Sequence, residues 1–167
     1  MLDLDFPFFL DSTQNKEIGR RGQKVKAFII HRTEGGFKGS IEWCKNTDAQ
    51  VSYHFIINET GEVHELVDTD NIAWHAGLMK NPLIMAKYLG PNANICSIGI
   101  ALSGFARDYP TLAQIASCAV LVRELAKKYK IILDSNTVLP HNAIRSDKTC
   151  PGARVSVGTI LYLSNLN

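Results

Sequence analysis

The chain has 167 residues, of which 46% are hydrophobic and 20% charged, and its formal net charge is +2. This length suits one domain with its own hydrophobic core, and the composition is that of an ordinary globular protein. So small a charge gives no reason to expect nucleic-acid binding, and no apolar stretch is long enough to span a bilayer. We expect a single domain over residues 1–167 that is monomeric, with no nucleic-acid partner and no stable membrane association.

The N-terminal residues do not read as a secretory signal. Residues 1–10 are apolar but carry two acids and a proline, with no basic leading segment and no small-residue cleavage site. Residues 1–24 are therefore taken as an N-terminal extension of a cytoplasmic protein. The four cysteines are dispersed and form no CxxC pair, so reduced thiols are expected.

The remaining segments alternate between strands and helices. A β-branched run ends at a glycine-rich loop after His31, and Glu59-Thr-Gly-Glu62 is typical of the turn in a hairpin. The predicted strands cover 25–31, 51–58, 63–67 and 97–102, and the predicted helices cover 40–45, 111–130 and 156–166. Ser40 is the expected N-cap of the first helix. The sum predicts an α/β fold with a central mixed β-sheet flanked by helices.

The helix over 111–130 has the clearest pattern. Its apolar residues recur at alternating steps of three and four, which gives one apolar stripe. Thr111 with Gln114 forms a capping box, and lysines crowd the far end, where the helix dipole favours them.

Three residues outside the helices suggest a metal site: His31, His141 and Cys150. Each lies at a strand end or in a loop, and two imidazoles with a thiolate form a set that Zn²⁺ prefers. Three protein ligands leave one tetrahedral position for water, as in catalytic rather than structural zinc sites. The spacing alone leaves ordinary core or surface roles open, as it does for His54 and His64, which fit within strands.

Five segments occur in the order and spacing of a known family. They are Phe28-Ile-Ile-His-Arg-Thr33, Val51-Ser-Tyr-His-Phe-Ile-Ile57, Ala73-Trp-His-Ala-Gly77, Ser97-Ile-Gly-Ile-Ala-Leu102 and His141 to Gly152. Over residues 25 to 165 the chain resembles the type 2 N-acetylmuramoyl-L-alanine amidases. That family includes phage lysozyme-amidases, bacterial cell-wall recycling amidases and animal peptidoglycan recognition proteins. The most specific motif is His-x8-Cys-Pro-Gly, with a lysine two residues before the cysteine.

The resemblance implies a fold, a reaction and a set of site residues. The fold is that of the peptidoglycan recognition proteins, and the reaction is hydrolysis of the amide bond between N-acetylmuramic acid and the L-alanine of the stem peptide, with peptidoglycan as substrate. His31, His141 and Cys150 match the zinc ligands. Tyr53 and Lys148 match catalytic residues of the phage enzymes, and the segments that contain Thr33, Trp74 and His75 match the borders of the substrate groove.

Three positions depart from parts of the family. Ala101 stands where the recycling enzymes carry a glutamate as general base, and Cys150 stands where they use aspartate as a ligand. Both differences place the chain nearer the phage type, so a phage or prophage endolysin that waits in the cytoplasm is expected. Ala143 replaces an aspartate that many members carry, which removes one possible carboxylate support for His141.

Two other functions stay open at this point. The chain resembles recognition proteins that bind peptidoglycan without cutting it, but these usually lack the cysteine ligand. A cysteine hydrolase would instead use Cys150 as nucleophile and His141 as base.

Overall fold

The computed structural model describes residues 7–166 and contains a six-stranded mixed sheet. The strand order is β1-β5-β4-β7-β3-β8, and β2 and β6 form a separate antiparallel pair. The strands are β1 (Phe8–Leu10), β2 (Lys16–Glu17), β3 (Ala27–Arg32), β4 (Phe55–Ile57), β5 (Val63–Glu65), β6 (Ile72–Ala73), β7 (Ser97–Leu102) and β8 (Val138–Pro140). The helices are α1 (Phe37–Lys45), α2 (Leu112–Tyr129), α3 (His141–Ile144) and α4 (Val157–Ser164), with 3₁₀ turns at Thr47–Ala49, Ile84–Leu89 and Ala93–Cys96.

The centre of the sheet is parallel. Strand β3 pairs in parallel with both β7 and β8, and β4 pairs in parallel with β7 and antiparallel with β5. Ile30 lies opposite Pro140, so the residues that follow them, His31 near the end of β3 and His141 at the start of α3, lie at the same edge of the sheet. This edge is at the carboxyl ends of the strands, where ligands bind in open α/β sheets.

The two faces of β3 are buried against different elements, because side chains alternate along a strand. Phe28 and Ile30 belong to the core that α2 and α4 cover. Ile29 packs on the opposite face against α3 and the segment between β6 and β7. His31 lies on the same face of β3 as Ile29, so on this face the apolar core is followed by a polar site at the edge of the sheet.

Residues 7–20, within the predicted N-terminal extension, pair with strands of the rest of the chain. β1 adds a parallel strand to β5, and β2 pairs with β6. The Asn15 Nδ2 atom lies 2.8–3.2 Å from three carbonyls, those of Cys44, Asn46 and Val51. Residues 1–6, at the start of the predicted extension, lie outside the described residues.

The predicted mixed sheet is confirmed, as are the 97–102 strand, the hairpin and the four free cysteines. Helix α2 has the predicted capping box, although Leu112 at its start is 88% exposed and is not part of the stripe. The strand predicted over 51–58 shortens to β4 (Phe55–Ile57), because the Ser52 amide donates to the Trp74 carbonyl and not to β7. Helix α1 begins earlier than predicted, with Gly36 as N-cap and Ser40 inside the helix.

Among residues 7–166, no helix has the length and apolar character needed to cross a membrane.

Candidate metal centre

The structure brings His31, His141 and Cys150 together. One possible ligand atom from each residue lies within 4.8 Å of the other two. His31 comes from the end of β3, His141 from the first residue of α3, and Cys150 from the loop that leads to α4. Both histidines are buried, at 1% and 8% exposure, so the imidazoles are held in place by the sheet edge.

The hydrogen bonds at this site indicate which atoms face a metal. The His141 Nε2 atom lies 3.3 Å from the Ala76 carbonyl, which can only accept, so Nε2 carries the proton and Nδ1 keeps its lone pair. The Cys150 Sγ atom lies 3.7 Å from His31 Nδ1 and accepts a hydrogen bond from the Arg32 amide at 3.3 Å. That amide bond favours a thiolate. Two imidazole nitrogens and one sulfur therefore converge, a donor set that fits zinc.

Burial sets the protonation of the metal-free site. It lowers the pKa of His31 well below the usual value and that of His141 to about 4, so both rings are neutral near pH 7. Burial also raises the pKa of the Cys150 thiol to about 11 and raises the pKa of Tyr53. Without a metal, the thiol therefore keeps its proton at neutral pH.

An open cavity of about 600 Å³ lies beside these three residues. Its lining includes Tyr53, Lys148, Thr33 and Trp74, four residues whose roles the family resemblance implies. The ring centroids of Tyr53 and His31 are 5.1 Å apart. Their placement suits contact with a substrate, and their individual roles stay predictions.

His75 lies differently from the other predicted substrate residues. It reaches the cavity only at its floor, since its exposed fraction is 5%, and its Nδ1 lies 3.1 Å from His31 Nε2. Most of its ring is therefore unavailable to a substrate. We call His31, His54, His75 and His141 the histidine cluster, because their rings lie in successive contact, with centroids 4.6–5.5 Å apart.

Sequence reasoning missed several residues of this cavity. Glu34 is the single carboxylate among its described lining residues, and its backbone adopts a φ of +58°. Arg145 also lines the cavity, and a bidentate pair with Asp147 holds its guanidinium group. The sequence signal for Glu34 was its position in the glycine-rich loop directly after the His31 strand. Asn94, which accepts hydrogen bonds from three successive amides of residues 75–77, carried no such signal.

The two alanines noted in the sequence are both fully buried. Ala101 lies directly beside His31 in the parallel register of β3 and β7, so no carboxylate reaches the site from this position. Ala143, within α3, packs against the sheet in the same core cluster as Ile29 and Leu139. His141 is instead oriented by the Ala76 carbonyl, which takes the place of a carboxylate partner.

Known proteins resemble this chain in sequence. A relative from Achromobacter lyticus, N-acetylmuramoyl-L-alanine amidase A, is 35% identical over 86 residues, which cover 51% of this chain and 41% of the relative. The 1,6-anhydro-N-acetylmuramyl-L-alanine amidase AmpD of Salmonella typhimurium is 37% identical over 105 residues, 62% of this chain and 51% of that protein. The chain thus spans about half the length of these sequence relatives.

Solved structures share the fold. A selenomethionine derivative of AmpD superimposes with a TM-score of 0.79 at 24% identity, covering 98% of each chain. The endolysin amidase LysCS from Clostridium intestinale URNW gives a TM-score of 0.71 at 20% identity over the whole of both chains. The predicted zinc amidase fold is confirmed by these matches. A sequence model of the family described as N-acetylmuramoyl-L-alanine amidase matches residues 21–153, so the chain belongs to that family.

Proposed function

We propose that this protein is a zinc-dependent N-acetylmuramoyl-L-alanine amidase, which hydrolyses the bond between N-acetylmuramic acid and the L-alanine of the peptidoglycan stem peptide. The observation that carries the proposal is the convergence of His31, His141 and Cys150 beside an open cavity, in a chain of this family. The name of the Achromobacter relative describes the same reaction.

A zinc ion in this position would polarise the scissile carbonyl and lower the pKa of a bound water molecule. The protein's own groups then act on the charge that develops. Lys148 is exposed on the cavity wall, where its ammonium group can stabilise the negative carbonyl oxygen of the transition state. Tyr53 can donate a hydrogen bond from its hydroxyl to the same oxygen, since burial in the metal-free protein raises its pKa.

The alternative with Cys150 as nucleophile is disfavoured by the same site. Nucleophilic cysteines have a lowered pKa, whereas burial raises the pKa of this thiol to about 11. A nucleophile and its base need only Cys150 and His141, but His31 Nδ1 also lies 3.7 Å from the Cys150 Sγ atom. Three convergent groups fit a metal site better than such a pair.

We further propose that the enzyme is a phage or prophage endolysin, held in the host cytoplasm until it reaches the cell wall. The cysteine ligand and the absence of a carboxylate at Ala101 support this role over cell-wall recycling. AmpD-type proteins are named for 1,6-anhydro-muramyl substrates. Comparing intact sacculi with anhydro-muramyl peptides as substrates therefore separates the two roles.

The test is digestion of purified peptidoglycan, with products read by mass spectrometry. The samples are the untreated protein, protein stripped with chelator, stripped protein restored with zinc, and the Cys150→Ser variant. Cys96→Ser is the matched control, because the Cys96 thiol donates to the Leu89 carbonyl at 3.2 Å, and a hydroxyl can do the same.

Each outcome decides between the functions. Stem peptides that begin with L-alanine, lost on stripping and with Cys150→Ser but retained with Cys96→Ser, support the proposal. Cleavage that survives complete metal removal would return Cys150 to the role of nucleophile. A folded, zinc-loaded protein that binds peptidoglycan and releases no peptide would be a recognition module.

A further inference from the structure

His75 is a buried ring that lies between a proposed metal ligand and the sheet. It follows β6, and the amides of residues 75–77 are fixed by the Asn94 side chain. Its Nδ1 lies 3.1 Å from His31 Nε2, and its Nε2 lies 3.4 Å from the Ser97 hydroxyl. The two imidazoles meet edge to face, at an interplanar angle of 89°.

The direction of each hydrogen bond follows from the Ala93 carbonyl, which ends the series of contacts from His31 through His75 and Ser97. The Ser97 hydroxyl lies 2.6 Å from the Ala93 carbonyl, which can only accept, so Ser97 donates to it. The remaining lone pairs of Ser97 can accept from His75, which places the His75 proton on Nε2. Nδ1 of a neutral His75 then has a lone pair, and it accepts the proton of His31 Nε2.

The sequence leaves space for this ring beside β7. A Cβ added at Gly99 would lie 2.6 Å from His75 Nδ1, so a glycine is needed where β7 passes the ring.

We infer that His75 is a positioning residue for the metal site, whose Nδ1 accepts the His31 Nε2 proton and thereby presents the His31 Nδ1 lone pair to the metal. Ligating histidines usually give this second proton to a carboxylate, a carbonyl or water, and here an imidazole has that role. The inference rests on the proposed zinc site, and it gives His75 a task that differs from substrate binding.

The test compares His75→Asn with His75→Leu, two side chains of similar shape. The Asn Oδ1 atom lies close to the position of the His75 Nδ1 atom and can accept the same proton, whereas Leu cannot. Zinc affinity is measured by competition with a chromophoric chelator, without any peptidoglycan substrate. We expect His75→Leu to weaken zinc binding by about 10- to 100-fold, and His75→Asn to retain most of the affinity. Thermal unfolding of the metal-free variants checks that both are folded.

Nitrogen NMR of the metal-free wild-type protein gives a second readout that needs no variant. We expect His31 in the Nε2–H form and His75 also in the Nε2–H form. Equal zinc affinity of the Asn and Leu variants, or His31 in the Nδ1–H form, would overturn the inference. If the wild-type protein binds no zinc, the proposed metal site itself fails, and the two failures are thus distinguishable.

Discussion

Zinc binding is expected to release about one proton from the metal-free protein, and that proton comes from Cys150. At pH 6.5 and just below it the His31 and His141 rings are already neutral, because burial lowers the pKa of His31 well below its usual value and that of His141 to about 4. The Cys150 thiol, with its pKa raised to about 11, is protonated throughout. A zinc-bound sulfur is a thiolate, so one proton must leave for each ion bound.

The magnitude follows from this count. One released proton makes the apparent zinc affinity rise about tenfold for each pH unit. A Cys150→Asp variant supplies a carboxylate with an ordinary pKa of about 3.9, so its release is expected to fall close to zero and its affinity to become nearly independent of pH. The wild-type protein and the variant share both histidines and differ in one ligand, so a difference in the pH dependence of their zinc affinities is due to residue 150.

The assay is calorimetric titration of zinc in paired buffers of different ionisation enthalpy. Below pH 6.5 a water molecule in the open ligand position keeps its proton, and the count reports protein groups alone. A wild-type release near zero would mean that the thiolate already exists without metal. A release of two or more would mean that the histidines are protonated, and either result would refute the reasoning.

Three further predictions concern the support of the site. Gly99→Ala is expected to displace the His75 ring and to lower zinc affinity in a chelator competition. Gly158→Ala, where a Cβ meets nothing within 4 Å, should leave zinc affinity unchanged, and equal affinities of the two variants would contradict the packing argument. Asn15→Ala is expected to cost about 1–3 kcal/mol in urea unfolding, because it removes the hydrogen bonds that the Asn15 amide donates to the Cys44, Asn46 and Val51 carbonyls. The exposed Gln14→Ala should cost little, and similar losses for both variants would count against this role of Asn15. The metal-free protein should lose stability as the pH falls from 6.5 to 4, because the unfolded chain binds protons that the four buried rings of the histidine cluster exclude. Glu65, whose pKa is raised to about 7, has the opposite effect on stability, but it is one group against four. A urea midpoint that rises on acidification would contradict this sign.

Local patterns in the sequence were sufficient for several elements. The Thr111 and Gln114 capping box depends on neighbouring residues only, and both hydrogen bonds form as predicted. The 97–102 strand is a continuous apolar run that is buried on both faces, which is typical of a central parallel strand. The metal ligands could be named because the family resemblance supplied their grouping, which spacing alone left open.

Other features depend on contacts between distant residues, and no local pattern encodes them. Asn15 looks like a surface residue of a polar segment, yet it is buried where its side chain meets three carbonyls from the end of α1 and the segment that follows it. Trp74 and His75 are neighbours in sequence, but one lines the cavity and the other lies under its floor. The difference arises from Gly99, whose missing side chain makes room for the His75 ring.

Zinc-edge anomalous diffraction from crystals of the zinc-loaded protein tests the metal centre most directly. We expect one peak bonded to His31 Nδ1, His141 Nδ1 and Cys150 Sγ, at about 2.0–2.1 Å from the nitrogens and about 2.3 Å from the sulfur. The fourth position should open toward the cavity lined by Tyr53 and Lys148. A peak bonded to other residues, or no peak at this site after full zinc loading, would contradict the assignment.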